Sequence, residues 1–299
     1  MMVRPANFQF NEETAANNSF QNTGSNDGSS NVKQKAIEEF DAMVDLLRSK
    51  GIDIIVIQDT ESPTKPDAIF PNNWISLHED GTVITYPMFA VNRRIERRED
   101  IIDTLAKKYV VKKRYSFEHY EEEDKFLEGT GSMIFDRVAQ RVFACLSQRT
   151  DITLLDKFCV LMDTKRVVFN SVDAKGEPIY HTNVMMAIGE DFVVISMDTI
   201  PDHEERKELE RVFEESDKEI IEITADQVEN FAGNMLQVRS TDGETYLVMS
   251  QSAYDSLHDD QIERLSALTN ILPVSIPTIE YYGGGSVRCM MAEVFLPLK

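Results

Sequence analysis

Apolar positions along the chain fall into short continuous runs separated by amphipathic stretches, and this order returns. VKQKAIEEFDAMVDLLRSKG (Val32 to Gly51) places Ala36, Phe40, Met43, Val44 and Leu47 at helical spacing and closes on a glycine; IDIIVIQ then reads as a short buried strand. TVITYPM predicts a strand, NRRIERREDIIDTLAKKY a polar lead-in and a helix with Ile95, Ile101, Ile102 and Leu105 on one side, and VVKK the opening of another strand. FVVISMDTI, PDHEERKELERVFEESD with proline at the helix start, and KEIIEI repeat the unit, as do TYLVMSQSA, DSLHDDQIERLSALT and NILPVSI. The unit recurs about every 50 to 60 residues, which leaves room for about five copies. GSMIFD, RVFACLS and KRVVFNS add strand-length pieces, so strands outnumber helices. A strictly alternating parallel sheet would need a long helix after nearly every strand, and no GxGxxG follows an early strand. The pattern predicts a repeated mixed α/β architecture, closed in a ring and filling one domain over residues 1–299. Thr23 to Asn31 (TGSNDGSSN) reads as a flexible surface loop.

Composition narrows the function classes. With 299 residues, 42% of them hydrophobic, the chain can bury a substantial core. A formal charge of -21 repels phosphate, which argues against nucleic acid or an anionic membrane as partner. The first thirty residues lack a continuous apolar run, and no segment is apolar for the eighteen or so residues a membrane-spanning helix needs, so a soluble, cytoplasmic protein is expected. Cys145, Cys159 and Cys289 have no paired spacing, which suggests neither a disulfide framework nor a zinc knuckle. No HExxH motif occurs, and His203-Glu204-Glu205 is explained by an acidic helix start; no metal and no organic cofactor is expected. Oligomeric state is open, a homo-oligomer included.

Three residues stand out by their settings. Cys289 follows YYGGGSVR, where three glycines allow a sharp turn and close approach to a ligand, and where Arg288 is an adjacent cation able to favour a thiolate. Cys145 and Cys159 lie in apolar runs and read as core thiols. His181 stands in EPIYHTNVMMAIG, beside apolar residues, where an imidazole is costly unless bonded or used; His78, His119, His203 and His258 read as solvated. Glu128, in FLEGTGSMIF, is a carboxylate at a strand entrance and not in a charge run; it could orient an imidazole or bind a cationic group. Each has a structural alternative: a glycine turn ahead of a half-buried thiol, a satisfied core histidine, a carboxylate capping backbone N–H groups. Local sequence leaves these open.

Together, PDAIFPNNWIS (Pro66 to Ser76), FLEGTGSMIF, LSQRTD (Leu146 to Asp151), YHTNV and NILPVSIPTIEYYGGGSVRC resemble the guanidine-modifying, or pentein, superfamily of arginine deiminases, dimethylarginine dimethylaminohydrolases and amidinotransferases. The resemblance spans nearly the whole chain, and the opening RPANFQFNEETAANNSFQ is most similar to an amidinotransferase-like subgroup associated with citrulline use, its loop able to close over a substrate. It implies a five-bladed α/β propeller of ββαβ-type units and a cysteine-dependent hydrolase that needs no cofactor. The implied catalytic residues are Cys289 as nucleophile, His181 as general acid/base and Glu128 as supporting carboxylate. A substrate loop containing Asp67 and Asn73 is implied as well, with Arg149, and Arg93 or Arg94, holding an amino-acid carboxylate.

Two departures bear on the substrate. Asn73 and Asn183 stand where arginine-using relatives commonly have aspartates bracketing a guanidinium. Replacing both removes up to two charge-assisted contacts, each worth about 1.5 to 3 kcal/mol, and amides can both donate to and accept from a neutral ureido group. The reading is therefore hydrolysis of citrulline to ornithine, carbon dioxide and ammonia. The alternatives are an arginine or substituted-arginine deiminase and, less favoured, an amidinotransferase or a noncatalytic binding pentein.

Overall fold

The computed structural model describes residues 1–15, 18, 20–22 and 29–299. Most of the predicted Thr23–Asn31 loop, residues 23–28, lies outside the described residues; its last three residues already belong to the helix Ser29–Ser49.

Four three-stranded sheets share one topology. They are β3 (Ile75–Leu77), β4 (Thr82–Thr85) and β5 (Lys113–Ser116); β6 (Ile134–Asp136), β7 (Arg141–Cys145) and β8 (Lys165–Phe169); β9 (Met186–Ile188), β10 (Phe192–Ile195) and β11 (Glu219–Glu222); and β12 (Leu236–Arg239), β13 (Thr245–Ser250) and β14 (Asn270–Val274). In each, the middle strand pairs antiparallel with the first and parallel with the third. A parallel return needs a crossover, supplied by helices such as Glu99–Lys108, Ile152–Met162 and His203–Glu214. The middle strands read VFAC, FVVI and LVM because helices and neighbouring sheets cover both their faces; β4 and β10 are buried at every position. A fifth, two-stranded sheet pairs β1 (Met2–Arg4) with β2 (Val56–Gln58) in parallel across the helix Ser29–Ser49. Met1 and Ala292 exchange two main-chain hydrogen bonds at its edge, 2.8 and 3.0 Å long.

Several expectations shift. Ile95 was placed on the buried side of one long helix, but Val91–Glu96 is a 3₁₀ turn, the α-helix starts at Glu99, and Ile95 is exposed. Rows of arginines here reach for carboxylates and carbonyls, and those bonds dictate a tighter turn. His78 is buried, not solvated: its Nε2 meets Ser76 Oγ at 2.7 Å, and burial, with Arg137 nearby, pulls it down to about 4. The closing AEVFLPL makes only isolated bridges, at Val294 to Leu77 and Leu298 to Tyr109. Among the described residues no helix is long and apolar enough to cross a membrane.

Candidate active site

Each sheet is entered through a short turn, and these turns converge. Pro71–Asn73 precedes β3, Gly129–Ser132 precedes β6, Thr182–Val184 precedes β9, residues 231–234 precede β12, and residues 284–289 precede the edge at Ala292. Asn73, Glu128, His181, Asn183, Asn234 and Cys289 all lie in or beside these turns, His181 and Asn183 on the same one, and all are buried.

The cysteine turn is built by its neighbours. Proline opens the helix Pro277–Gly283, and Glu39, from the helix Ser29–Ser49, accepts from the N–H groups of Thr278 and Ile279 at 2.9 and 3.0 Å, closing the orphan donors at its start. Gly284 ends it in the left-handed region at φ 60°, its N–H on Glu280 O, as a C-terminal glycine does. Cys289 then follows in a turn closed by its own N–H on Ser286 O. Arg288, expected to favour a thiolate, does not hydrogen-bond the sulphur; its guanidinium bonds Met291 O and Glu293, both at 3.0 Å, and it interacts with Cys289 through space.

Glu128 and His181 form the proton-handling pair. His181 Nε2 lies 2.8 Å from Glu128 Oε2, and the other oxygen accepts from Phe89 N at 2.8 Å. Burial alone would raise the carboxyl, but Arg149 at 3.6 Å, the His181 hydrogen bond and Arg93 outweigh it and hold Glu128 down at about 2. An ionised carboxylate only accepts, so Nε2 carries the imidazole hydrogen and Nδ1 is the free basic nitrogen. Burial pulls His181 below its usual value despite the pull of Glu128, which keeps Nδ1 unprotonated near neutrality. Gly131 packs against this edge. A Cβ there would fall 2.7 Å from Nδ1 and 2.6 Å from Asn73 Nδ2, so only glycine leaves both groups in place.

Arg93 donates to Glu96 twice, at 3.0 and 2.9 Å, to Phe70 O at 3.2 Å and to Asn73 Oδ1 at 2.9 Å. That last bond fixes the amide: its oxygen is occupied, and its Nδ2, buried without a partner, faces the site. Asp67 receives Asn11 Nδ2 at 2.7 Å and Thr14 Oγ1 at 3.2 Å on one oxygen, while the other is buried without a hydrogen-bond partner. Burial raises Asp67, against Arg93 at 3.9 Å. Arg149 lies against the rings of Tyr180 and Phe89 and donates to Thr14 O at 3.2 Å. Asn183 Nδ2 donates to Cys289 Sγ at 3.3 Å.

Of the expected site residues, the structure gathers Cys289, His181, Glu128, Asn73, Asn183, Arg149, Arg93 and Asp67. It does not bring in Arg94, whose guanidinium bonds Met88 O and Glu121 on the far side of the 3₁₀ turn. Asn234, which sequence reasoning missed, donates to Cys289 Sγ at 3.3 Å. Its only sequence signal is its repeat position, one turn before a first strand.

Cys289, His181, Asn73, Arg93, Arg149 and Asp67 line a small cavity of about 20 Å³, room for roughly one water. Asn18 and Tyr180 divide it from an adjoining cavity of about 490 Å³ beside Ser147 and Gln148. A larger cavity, about 650 Å³, lies past Arg288 and does not reach the thiol. Among the described residues no group of three His, Cys, Asp or Glu side chains could hold a metal.

Repeated sheets carrying a buried cysteine, histidine and glutamate on converging turns define the chain as a pentein, a member of the guanidino-group-modifying superfamily. Within it, the family model described as N,N dimethylarginine dimethylhydrolase, eukaryotic, matches residues 4–296, and the chain belongs to that family. Solved structures share the fold. Apo ArgZ, an arginine dihydrolase from the ornithine-ammonia cycle in cyanobacteria, superposes with a TM-score of 0.76 at 15% identity over 100% of this chain. This chain spans only 40% of ArgZ's length. The substrate-bound N-terminal domain of ArgZ gives 0.71 at 15% identity, covering 99% of this chain and 98% of the domain. A dimethylarginine dimethylaminohydrolase variant, as its S-methyl-L-thiocitrulline adduct, gives 0.63 at 16% identity, covering 97% and 96%. No curated protein matches the chain by sequence.

Proposed function

We propose that the protein is a cysteine-dependent hydrolase that takes citrulline to ornithine, carbon dioxide and ammonia. The observation that carries this is the orientation of Asn73. Arg93 occupies its carbonyl oxygen, so Asn73 presents an unpartnered N–H donor to the cavity. A ureido oxygen accepts from that group; a guanidinium, which only donates, cannot.

Asp67's unsatisfied oxygen suits the substrate ammonium, and Arg149 and Arg93 suit its carboxylate. Cys289 Sγ attacks the ureido carbon, and His181 Nδ1 carries the displaced thiol proton to the leaving nitrogen. Ornithine departs and leaves a carbamoyl thioester on Cys289. Water, deprotonated by the same Nδ1, hydrolyses it to carbamate, which decays to carbon dioxide and ammonia. Glu128 keeps Nδ1 as the basic nitrogen throughout and compensates the transient imidazolium. The cavity is too small for citrulline, so side chains lining it, such as Thr14 and Asn18, must give way for entry, with the chamber at Ser147 and Gln148 as the approach.

One observation favours a second reading at the same site. Asp67, Glu96 and Glu128 outnumber Arg93 and Arg149; burial raises Glu96 to about 7, so the excess is a partial negative charge, which a guanidinium would compensate. Arginine would then enter first and be hydrolysed through citrulline, the chemistry for which ArgZ is named. The five sheets, with Met1 pairing to Ala292, are read as a closed five-bladed ring and residues 1–299 as one domain. A panel of citrulline, arginine, methylated arginines and agmatine, with products identified, tests the assignment: ornithine from citrulline supports it, and inertness toward citrulline refutes it.

A further inference from the structure

A buried sulphur that must attack as a thiolate needs something to stabilise its charge, and neither obvious cation is hydrogen-bonded to it. Arg288 acts on Cys289 only through space, its N–H groups being turned to Glu293 and Met291 O, and His181 Nε2 is engaged by Glu128. Burial without strong donors drives a thiol the wrong way, as at Cys145, pushed up to about 12.

We propose that Asn234 is a catalytic residue of this site, whose amide N–H holds the Cys289 sulphur as the thiolate, with Asn183 as the second donor. The proposal rests on the reading of Cys289 as nucleophile and names a residue that reading does not use. Asn234 is 2% exposed, and three bonds fix its amide. Its Oδ1 accepts Arg288 N at 3.1 Å, while its Nδ2 reaches Asn183 O at 2.9 Å and Cys289 Sγ at 3.3 Å. The Arg288 bond decides which end faces the sulphur: Oδ1 lies farther, at 3.8 Å, where it can accept the S–H of the thiol form, so the shorter Nδ2 contact is the one that favours the thiolate. The Arg288 bond also ties the donor to the turn carrying the nucleophile, so donor and sulphur keep one geometry. A thiol accepts hydrogen bonds weakly and a thiolate strongly, so the N–H that Asn234 fixes on the sulphur, with that of Asn183 beside it, favours the charged form selectively.

The test is the pH dependence of Cys289 alkylation by iodoacetamide in the full chain, with Cys289→Ala as blank for the two buried thiols. Asn234→Asp keeps the acceptor for Arg288 N but replaces the donor with a second acceptor; Asn234→Ala removes both. Circular dichroism and thermal melting establish that each is folded. The expected result is an apparent thiol pKa raised by about one unit or more in Asn234→Asp, with alkylation at pH 7 slowed about tenfold, and a smaller shift of the same sign in Asn234→Ala. A folded Asn234→Asp protein with the wild-type alkylation profile overturns the proposal. The readings fail separately: a wild-type protein inert toward citrulline refutes the substrate, whereas an unshifted profile refutes Asn234.

Discussion

A single amide orientation carries the substrate assignment, and it can be reversed by one atom. Asn73→Asp replaces the unpartnered N–H with an acceptor while keeping the bond to Arg93. Losing one donor to the ureido oxygen and facing it with a carboxylate should lower kcat/KM for citrulline about 10- to 100-fold, the equivalent of 1.5 to 3 kcal/mol. Steady-state assays on citrulline and arginine in parallel should show arginine losing less or gaining. Equal losses on both would mean that Asn73 only supports the loop. His181 and Glu128 stood out because an imidazole and a carboxylate beside apolar residues are costly unless used, and Cys289 because three glycines and Arg288 set it apart from the two thiols in apolar runs. Arg93 and Arg94 were not separable in sequence, since adjacent arginines on a polar stretch look alike and only the 3₁₀ turn sends them to opposite sides. Asn234 carried no local signal, because an amide beside a glycine is ordinary turn chemistry.

At the scale of elements, the site depends on turns held by distant side chains. Glu39 belongs to a crossover helix over two hundred residues from Cys289, yet it caps the short helix that delivers the cysteine turn. Glu39→Ala should cost about 1 kcal/mol of stability, as the loss of an N-terminal cap does, and should slow turnover by misplacing Cys289; thermal unfolding and kcat together check this. Gly131→Ala should behave differently, nearly abolishing activity with modest destabilisation, because the added Cβ meets His181 Nδ1 and Asn73 Nδ2 and not the core. The repeat of strands and helices was legible because central strands buried on both faces, such as Phe192–Ile195, have no polar positions to blur them. Where elements end was less so. Val91–Glu96 has helical period, but Arg93 reaches Phe70 O and Asn73 and Arg94 reaches Met88 O and Glu121, partners in other segments that periodicity does not contain.

The whole molecule links its acid stability to its site. Glu128 is held below its unfolded value, so its contribution is present above about pH 4.5 and is lost as pH falls toward 2. His181, also lowered, is buried neutral; the unfolded chain takes its proton first, so stability is lost as pH drops below about 6.5. Both losses share a sign and oppose the relief of self-repulsion that acid brings to a chain of charge -21. Urea unfolding between pH 7 and 3 should show falling stability in wild type and a flatter fall below pH 4.5 in Glu128→Gln; coincident curves would detach the carboxylate from that limb. The proposed chemistry depends on convergence: turns from successive repeats, each ordinary alone, bring a thiol, a basic nitrogen and an amide donor to one cavity. The most direct test is product stoichiometry from purified protein given citrulline alone. The account predicts ornithine and ammonia in equal amounts, both absent with Cys289→Ala. Citrulline left intact by an enzyme that converts arginine to citrulline would contradict it.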